Sequence, residues 1–130
     1  MILGNGIDLA EVDRIREAIE RHGRRFIDRI YTPAEIAYVE RKANKYERYA
    51  ARFAAKEAGM KALGTGRSQG VLWKDVSVRR LGGPPQLVLT GGAARRFAAM
   101  NGRNTLLTVT HARDLAIAQV MLFGPGDVPA

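Results

Sequence analysis

Apolar positions along this chain change their period several times, and each change marks an element. Met1, Ile2 and Leu3 lead through Gly4-Asn5-Gly6 into Ile7-Asp8-Leu9, which predicts a strand over Ile2–Asp8. From Glu11 to His22, Val12, Ile15 and Ile19 recur at helical spacing among charged residues, and Gly23 ends or bends that helix. Thr32-Pro33-Ala34-Glu35 has the form of a capping box with proline at the first helical position. A helix therefore starts at Pro33 and turns Ile36 and Val39 to the core. A basic linker follows, and the Ala-rich run Arg52–Gly64 reads as a long helix that stops at Gly64-Thr65-Gly66, where glycine suits a left-handed cap.

The second half reads differently. Val76–Leu81 and Gln86–Leu89 are strands joined by the turn Gly82-Gly83-Pro84-Pro85. A short helix, Ala93–Met100, follows Gly91-Gly92 and exposes Arg95, Arg96 or both. Thr105–Thr110 and Leu115–Phe123 are strands on either side of His111-Ala112-Arg113-Asp114. The last strand is almost wholly apolar, which suits burial on both faces and, in a chain this small, hints at cover from a neighbouring subunit. The stretch 1–123 reads as one domain, and the tail 124–130 is expected to be flexible.

Composition narrows the function classes. With 130 residues, 46% of them hydrophobic, the chain suits one compact domain with a modest core. A net charge of +8 and a pI near 10.4 favour acidic partners: nucleic acid, anionic lipid, an acidic protein or a phosphorylated cofactor. The absence of cysteine excludes disulfides, thiolate metal sites and cysteine nucleophiles. Asp8 and Glu11 interrupt the apolar start before a signal-peptide core forms, and no apolar run reaches the ~20 residues that span a bilayer. The expectation is a soluble cytoplasmic protein.

Candidate chemistry centres on two acids. At about 100° per residue, Phe53, Glu57, Lys61 and Gly64 share a narrow sector of the long helix, with Met60 on the same side, so Glu57 is half-buried. An ordinary i,i+4 pair with Lys61, worth ~0.2–0.5 kcal/mol, is one reading of that spacing. Asp8 ends a strand between Ile7 and Leu9, where an acid needs a partner or a metal; helix capping by Asp8 or Asp13 is the other reading. Together, Asp8 and Glu57 form the sparse oxygen set that Mg²⁺ uses with phosphate substrates. Arg14, Arg21 and Arg25 share a stripe if the first helix continues through Gly23. They are a basic ridge, or else a solvated face paired with Glu17 and Glu20. The Lys, Arg and Tyr residues between Arg41 and Arg52 read as a helical linker with contacts to a cofactor phosphate, but they also admit a rival function, a nucleic-acid-binding module without catalysis that also uses Arg14, Arg21, Arg24 and Arg25. Such a binder needs neither Asp8 nor Glu57.

Four stretches in order carry a family likeness: Gly6-Ile7-Asp8-Leu9; Phe26-Ile27-Asp28-Arg29-Ile30-Tyr31-Thr32-Pro33-Ala34-Glu35; Arg52-Phe53-Ala54-Ala55-Lys56-Glu57-Ala58 with Lys61-Ala62-Leu63-Gly64-Thr65-Gly66; and Thr108-Val109-Thr110-His111. From Gly6 to about Leu122 the chain resembles the holo-acyl-carrier-protein synthases, small 4'-phosphopantetheinyl transferases. Gly59 departs from the pattern, since a bulkier residue is expected there and helical glycine costs ~1 kcal/mol relative to alanine.

The resemblance implies an α+β fold, an antiparallel sheet packed against a long helix and shorter helices. It also implies a cytoplasmic enzyme of fatty acid biosynthesis, which transfers the 4'-phosphopantetheine arm of coenzyme A to a serine of apo acyl carrier protein. Asp8 and Glu57 would ligate Mg²⁺, a metal-bound water or Glu57 itself would take the serine proton, and Lys61 would stabilise the diphosphate. Lys56 would meet a phosphate or solvent. His111 would lie near the 3'-phosphate of coenzyme A and serve catalysis, with Thr110, Arg113 and the backbone at Gly64 and Gly66 as further cofactor contacts. Arg14, Arg21 and Arg25 would dock the carrier protein, and the assembly would be a homotrimer with sites between subunits.

Overall fold

Gly4 and Gly6 decide how the first strand meets the long helix. In the computed structural model, which describes residues 1–126, strand β1 (Ile2–Glu11) lies directly on helix α4 (Lys45–Leu63). A Cβ on Gly4 would run into the carbonyl oxygen of Ala62. One on Gly6 would strike the carbonyl oxygen of Ala58 and stand 2.8 Å from the Ala62 nitrogen. Only glycine permits that approach, and it continues with small residues facing small residues: Ala54, Ala55, Ala58 and Ala62 of α4 are buried, as are Ala116 and Ala118 of β5 (Leu115–Phe123). Dense packing of this kind leaves α4 as the central post of the fold.

Around that post stand two antiparallel sheets. One has the order β1-β5-β4, with β4 spanning Asn104–His111. The other is the hairpin β2 (Val76–Arg79) and β3 (Gln86–Leu89). Register places Asp8 opposite Ala118 and Ala118 opposite Val109, while Ala10, Ala116 and His111 form another row. Alternation then puts Gly6, Asp8 and Ala10 toward α4 and leaves Ile7 and Leu9 pointing away, 58% and 54% exposed. The expected α+β architecture is observed. Strand β5 has its predicted bounds, but within the chain only one of its faces is fully buried: Ala116, Ala118, Val120 and Leu122 lie under α4, whereas Ile117, Gln119 and Met121 are half-buried on the outer face. Gly124 still donates to the Met1 carbonyl, and of the expected tail, residues 127–130 lie outside the described residues.

The remaining helices wrap the post. Helix α1 (Val12–His22) stops at Gly23, whose φ of 58° and ψ of −135° break the backbone, and a separate α2 (Arg24–Ile30) follows. One helix through Gly23 is therefore not formed. Helix α3 (Pro33–Glu40) carries the predicted capping box, with Thr32 and Glu35 bonded reciprocally. A 3₁₀ turn (Trp73–Asp75), not anticipated, precedes β2, and α5 (Gly91–Ala99) leads to β4. On α5, Arg95 is exposed while Arg96 turns inward and donates from Nε to the Leu63 carbonyl, 2.9 Å, at the end of α4. Gly59 has its reason here: a Cβ would stand 2.8 Å from Cγ1 of Val76, so glycine lets α4 approach β2.

Lys56 requires a correction. It meets neither phosphate nor solvent but is fully buried, its Nζ 2.7 Å from Oε1 of Glu35 and donating also to the carbonyls of Val76, 2.8 Å, and Trp73, 3.3 Å. Glu35, equally buried, accepts the Val78 backbone N–H on Oε2 at 3.1 Å. Every ammonium donor has an acceptor, as a buried charge demands.

Candidate active site

The approach of β1 to α4 brings three sequence-predicted residues together. Asp8 projects from the α4-facing row of β1, and Lys61, one turn beyond Glu57, reaches back across Gly6. Its Nζ is 3.3 Å from Asp8 Oδ2 and donates to the Ile7 carbonyl at 3.2 Å. Among the described residues Lys61 pairs with Asp8 and not with Glu57, so the ordinary i,i+4 pair is not what this spacing serves. Nor does Asp8 cap α1, whose N-cap is Glu11 without a side-chain bond; Asp8 Oδ1 instead accepts the N–H of Leu9. Burial, and after it the like charge of Asp8, push the Glu57 carboxyl above its ordinary range, with Lys61 opposing.

Two neighbouring carboxylates with a single lysine, paired to Asp8, are short of positive charge, and a divalent cation would meet that need. Among the described residues no third acid, histidine or cysteine completes a protein-only cage. The pair therefore fits an ion that keeps water and phosphate oxygens in its shell, as Mg²⁺ does. Gly64, with φ 75°, is the left-handed cap of α4, and Gly66, with φ 54°, follows in an open loop just past Lys61.

His111 is not part of this cluster. It ends β4, two strands away from β1, or roughly 10 Å across the sheet. Its Nδ1 lies 3.3 Å from Glu47 Oε1, near the opposite end of α4 from Lys61. Thr110 points to the other face of the sheet, and Arg113 is exposed in the turn that follows. His111 instead lines a cavity of about 290 Å³ with Arg48, Arg52 and Arg80. Arg52 is 6% exposed, its guanidinium lies 4.7 Å from the Tyr38 ring centre, and its Nε has no partner among the described residues. A cavity lined by three arginines and a histidine is suited to an anion. The basic linker contains Arg48 and Arg52 without separating them from the rest, and it gives no sign of Arg80.

The carrier-facing candidates lie elsewhere on the surface. Arg14 and Arg21 line one shallow concavity of α1 with Glu17 and His22, while Arg25 lines a second with His22, Phe26 and Arg29. The break at Gly23 thus divides the expected stripe between two helices. Arg14 pairs with Glu11, and Glu17 and Glu20 form no ion pair among the described residues. Next to this surface Phe26, Phe53 and Trp73 stack in series, 6.5 and 5.0 Å between ring centres, an apolar strip beside Glu57 that hydrophobic spacing on α4 had only partly indicated.

Comparison with known proteins bears on the family and the fold. A holo-acyl-carrier-protein synthase of Solibacter usitatus is 61% identical over 123 residues, covering 94% of this chain and 98% of its own. The crystal structure of holo-acyl-carrier-protein synthase from Neisseria meningitidis superposes with a TM-score of 0.87 at 27% identity, over 95% of this chain and 99% of that one. A Bacillus anthracis holo-acyl-carrier-protein synthase in complex with CoA (3',5'-ADP) gives a TM-score of 0.78 at 33% identity, over 95% and 98%. The family model for the 4'-phosphopantetheinyl transferase superfamily matches residues 4–119. By sequence and by fold, the chain belongs to the 4'-phosphopantetheinyl transferase superfamily, among its holo-acyl-carrier-protein synthases.

Proposed function

We propose that this chain transfers 4'-phosphopantetheine from coenzyme A to a serine of apo acyl carrier protein, in the cytoplasm and in support of fatty acid biosynthesis. The serine oxygen forms a bond to the pantetheine-bearing phosphorus, the diphosphate bridge breaks, and adenosine 3',5'-bisphosphate leaves. The observation that carries this reading is the convergence of Asp8, Glu57 and Lys61 where β1 meets α4. Asp8 and Glu57 would hold Mg²⁺, which when bound supplies charge neutralisation to the diphosphate. Lys61, more than half exposed while touching Asp8, is free to turn its ammonium to a phosphate oxygen. Glu57, its carboxyl made more basic in the metal-free chain by burial and by the like charge of Asp8, would receive the serine proton.

His111 with Arg48, Arg52 and Arg80 would take the 3'-phosphate, and the backbone at Gly64 and Gly66 would border the cofactor. Arg14, Arg21 and Arg25 would dock the acidic carrier protein. Because His111 lies across the sheet from Asp8, a complete site would draw these parts from different subunits. The outer face of the β1-β5-β4 sheet, with Ile7, Leu9 and Leu106 more than half exposed, supports a homotrimer in which copies cover one another. Thr110 on that face, and Arg113 at its end, would then approach the cofactor of a neighbour. No helix of the described residues is long and apolar enough to cross a membrane.

Mass spectrometry of an apo carrier protein incubated with coenzyme A and Mg²⁺ tests the reading. A gain of one phosphopantetheine arm, abolished by chelator, is expected. Salt-sensitive nucleic-acid binding without transfer would overturn it in favour of the binding module.

A further inference from the structure

Half of the twelve buried residues of α4 are alanines. Ala50, Ala51, Ala54, Ala55, Ala58 and Ala62 are all buried. Alanines pack closely but present few knobs to lock into a neighbour, and the larger buried apolar side chains, Tyr49, Met60 and Leu63, lie toward the two ends of the helix. The glycines of β1 set how near the helix comes, yet the chemistry depends on where Glu57 and Lys61 point.

Lys56 adds a directional constraint at the turn that carries Glu57. It precedes Glu57 by one residue, about 100° around the helix and 1.5 Å along it. Its ammonium is held at three points: Glu35 Oε1 at the start of α3, the Val76 carbonyl of β2, and the Trp73 carbonyl of the 3₁₀ turn. Glu35 is itself fixed, accepting the N–H groups of Thr32 and Val78. Four segments of chain therefore meet on one buried ion pair, on the flank of α4 away from β1. Stability alone is a weak reason for such a pair, since apolar residues of similar size commonly serve as well.

We infer that the buried Glu35–Lys56 pair is a positioning device that holds α4 at the rotation and height where Glu57 and Lys61 face Asp8. The inference rests on the proposed role of Asp8 and Glu57 as metal ligands. On a helix roughly 5–6 Å in radius, a 10° turn moves a side-chain end by about 1 Å. A displacement of that size at a reacting centre can cost ~10²-fold.

Lys56→Met removes the pins and keeps the length of the side chain. The paired change Glu35→Leu with Lys56→Met removes both charges and replaces it if an uncompensated Glu35 prevents folding. Binding of Mn²⁺ in the presence of coenzyme A is read by electron paramagnetic resonance, beside circular dichroism and steady-state kinetics. The expected result is a folded protein with Mn²⁺ affinity weakened ~10–100-fold and kcat lowered similarly, while KM for coenzyme A changes little. A folded variant with wild-type Mn²⁺ affinity and kcat overturns the positioning role. The wild type and Glu57→Gln separate the two levels: if the wild type binds no Mn²⁺, or if Glu57→Gln binds it equally well, the ligand assignment fails and this inference goes with it.

Discussion

Replacing Gly6 by alanine adds one methyl group to the narrowest contact in the fold. The new Cβ would meet the Ala58 carbonyl oxygen, stand 2.8 Å from the Ala62 nitrogen and 2.9 Å from Lys61 Cβ. Ordinary contact at such atoms begins near about 3.4 Å, so β1 and α4 must separate by at least ~0.6 Å, and by more at Ala58. The clashing atoms are mostly backbone, so no change of rotamer relieves them. Overpacking of this kind costs ~1–3 kcal/mol, or roughly 4–11 °C in thermal midpoint for a chain of this length. The separation also opens the distance between Asp8 on one element and Glu57 and Lys61 on the other. Turnover should therefore fall ~10²-fold even in the fraction that is folded, well beyond what lost stability explains at 25 °C. Thermal unfolding monitored by circular dichroism, beside phosphopantetheine transfer followed by mass, reads both effects. Gly83→Ala is the control, because its Cβ would meet nothing within 4 Å. Wild-type turnover in folded Gly6→Ala would refute the claim that this contact sets the site.

Glu57→Gln should lower turnover at least ~10²-fold while making the metal-free protein more stable near neutral pH, both read on the same purified sample. The sign follows from the raised carboxyl: its favourable contribution exists below the ordinary glutamate value of about 4.3 and is lost as pH climbs through the folded value. The stability gap should thus vanish below about pH 4. Arg14→Ala with Arg21→Ala should weaken carrier-protein association and flatten its salt dependence, with KM for coenzyme A unchanged; an unaltered KM for the carrier removes this surface from the account. Arg52→Leu should raise KM for coenzyme A ~10–100-fold but leave that for dephospho-coenzyme A unaffected; an equal effect on both would dissociate the cavity from the 3'-phosphate.

Local signals were the legible part of the fold. The capping box at Thr32 and the bounds of β5 depend on neighbours in sequence, and they agree with the structure. That Asp8 needs a partner was legible, because an acid between apolar residues lacks one locally, but the partner it finds is Lys61, which the spacing on α4 had set beside Glu57. Lys56 was misread because burial of a lysine is decided by partners far along the chain, Glu35 and Val76. A signal did exist: Tyr49, Lys56 and Leu63 lie seven residues apart and all are fully buried, so Lys56 falls on the core stripe of α4. The break between α1 and α2 turns on the ψ of Gly23, which composition does not encode.

The side of β2 that looks away from β3 has a further consequence for how copies of this chain behave at high concentration. A two-stranded ribbon offers its free margin as a template on which a strand from another molecule can zip up. Here the Val76 carbonyl and the Val78 N–H on that margin are already taken by an ammonium and a carboxylate from within the chain. An invading strand would have to displace both charges to gain hydrogen bonds already made, so the hairpin is guarded against runaway stacking at this margin.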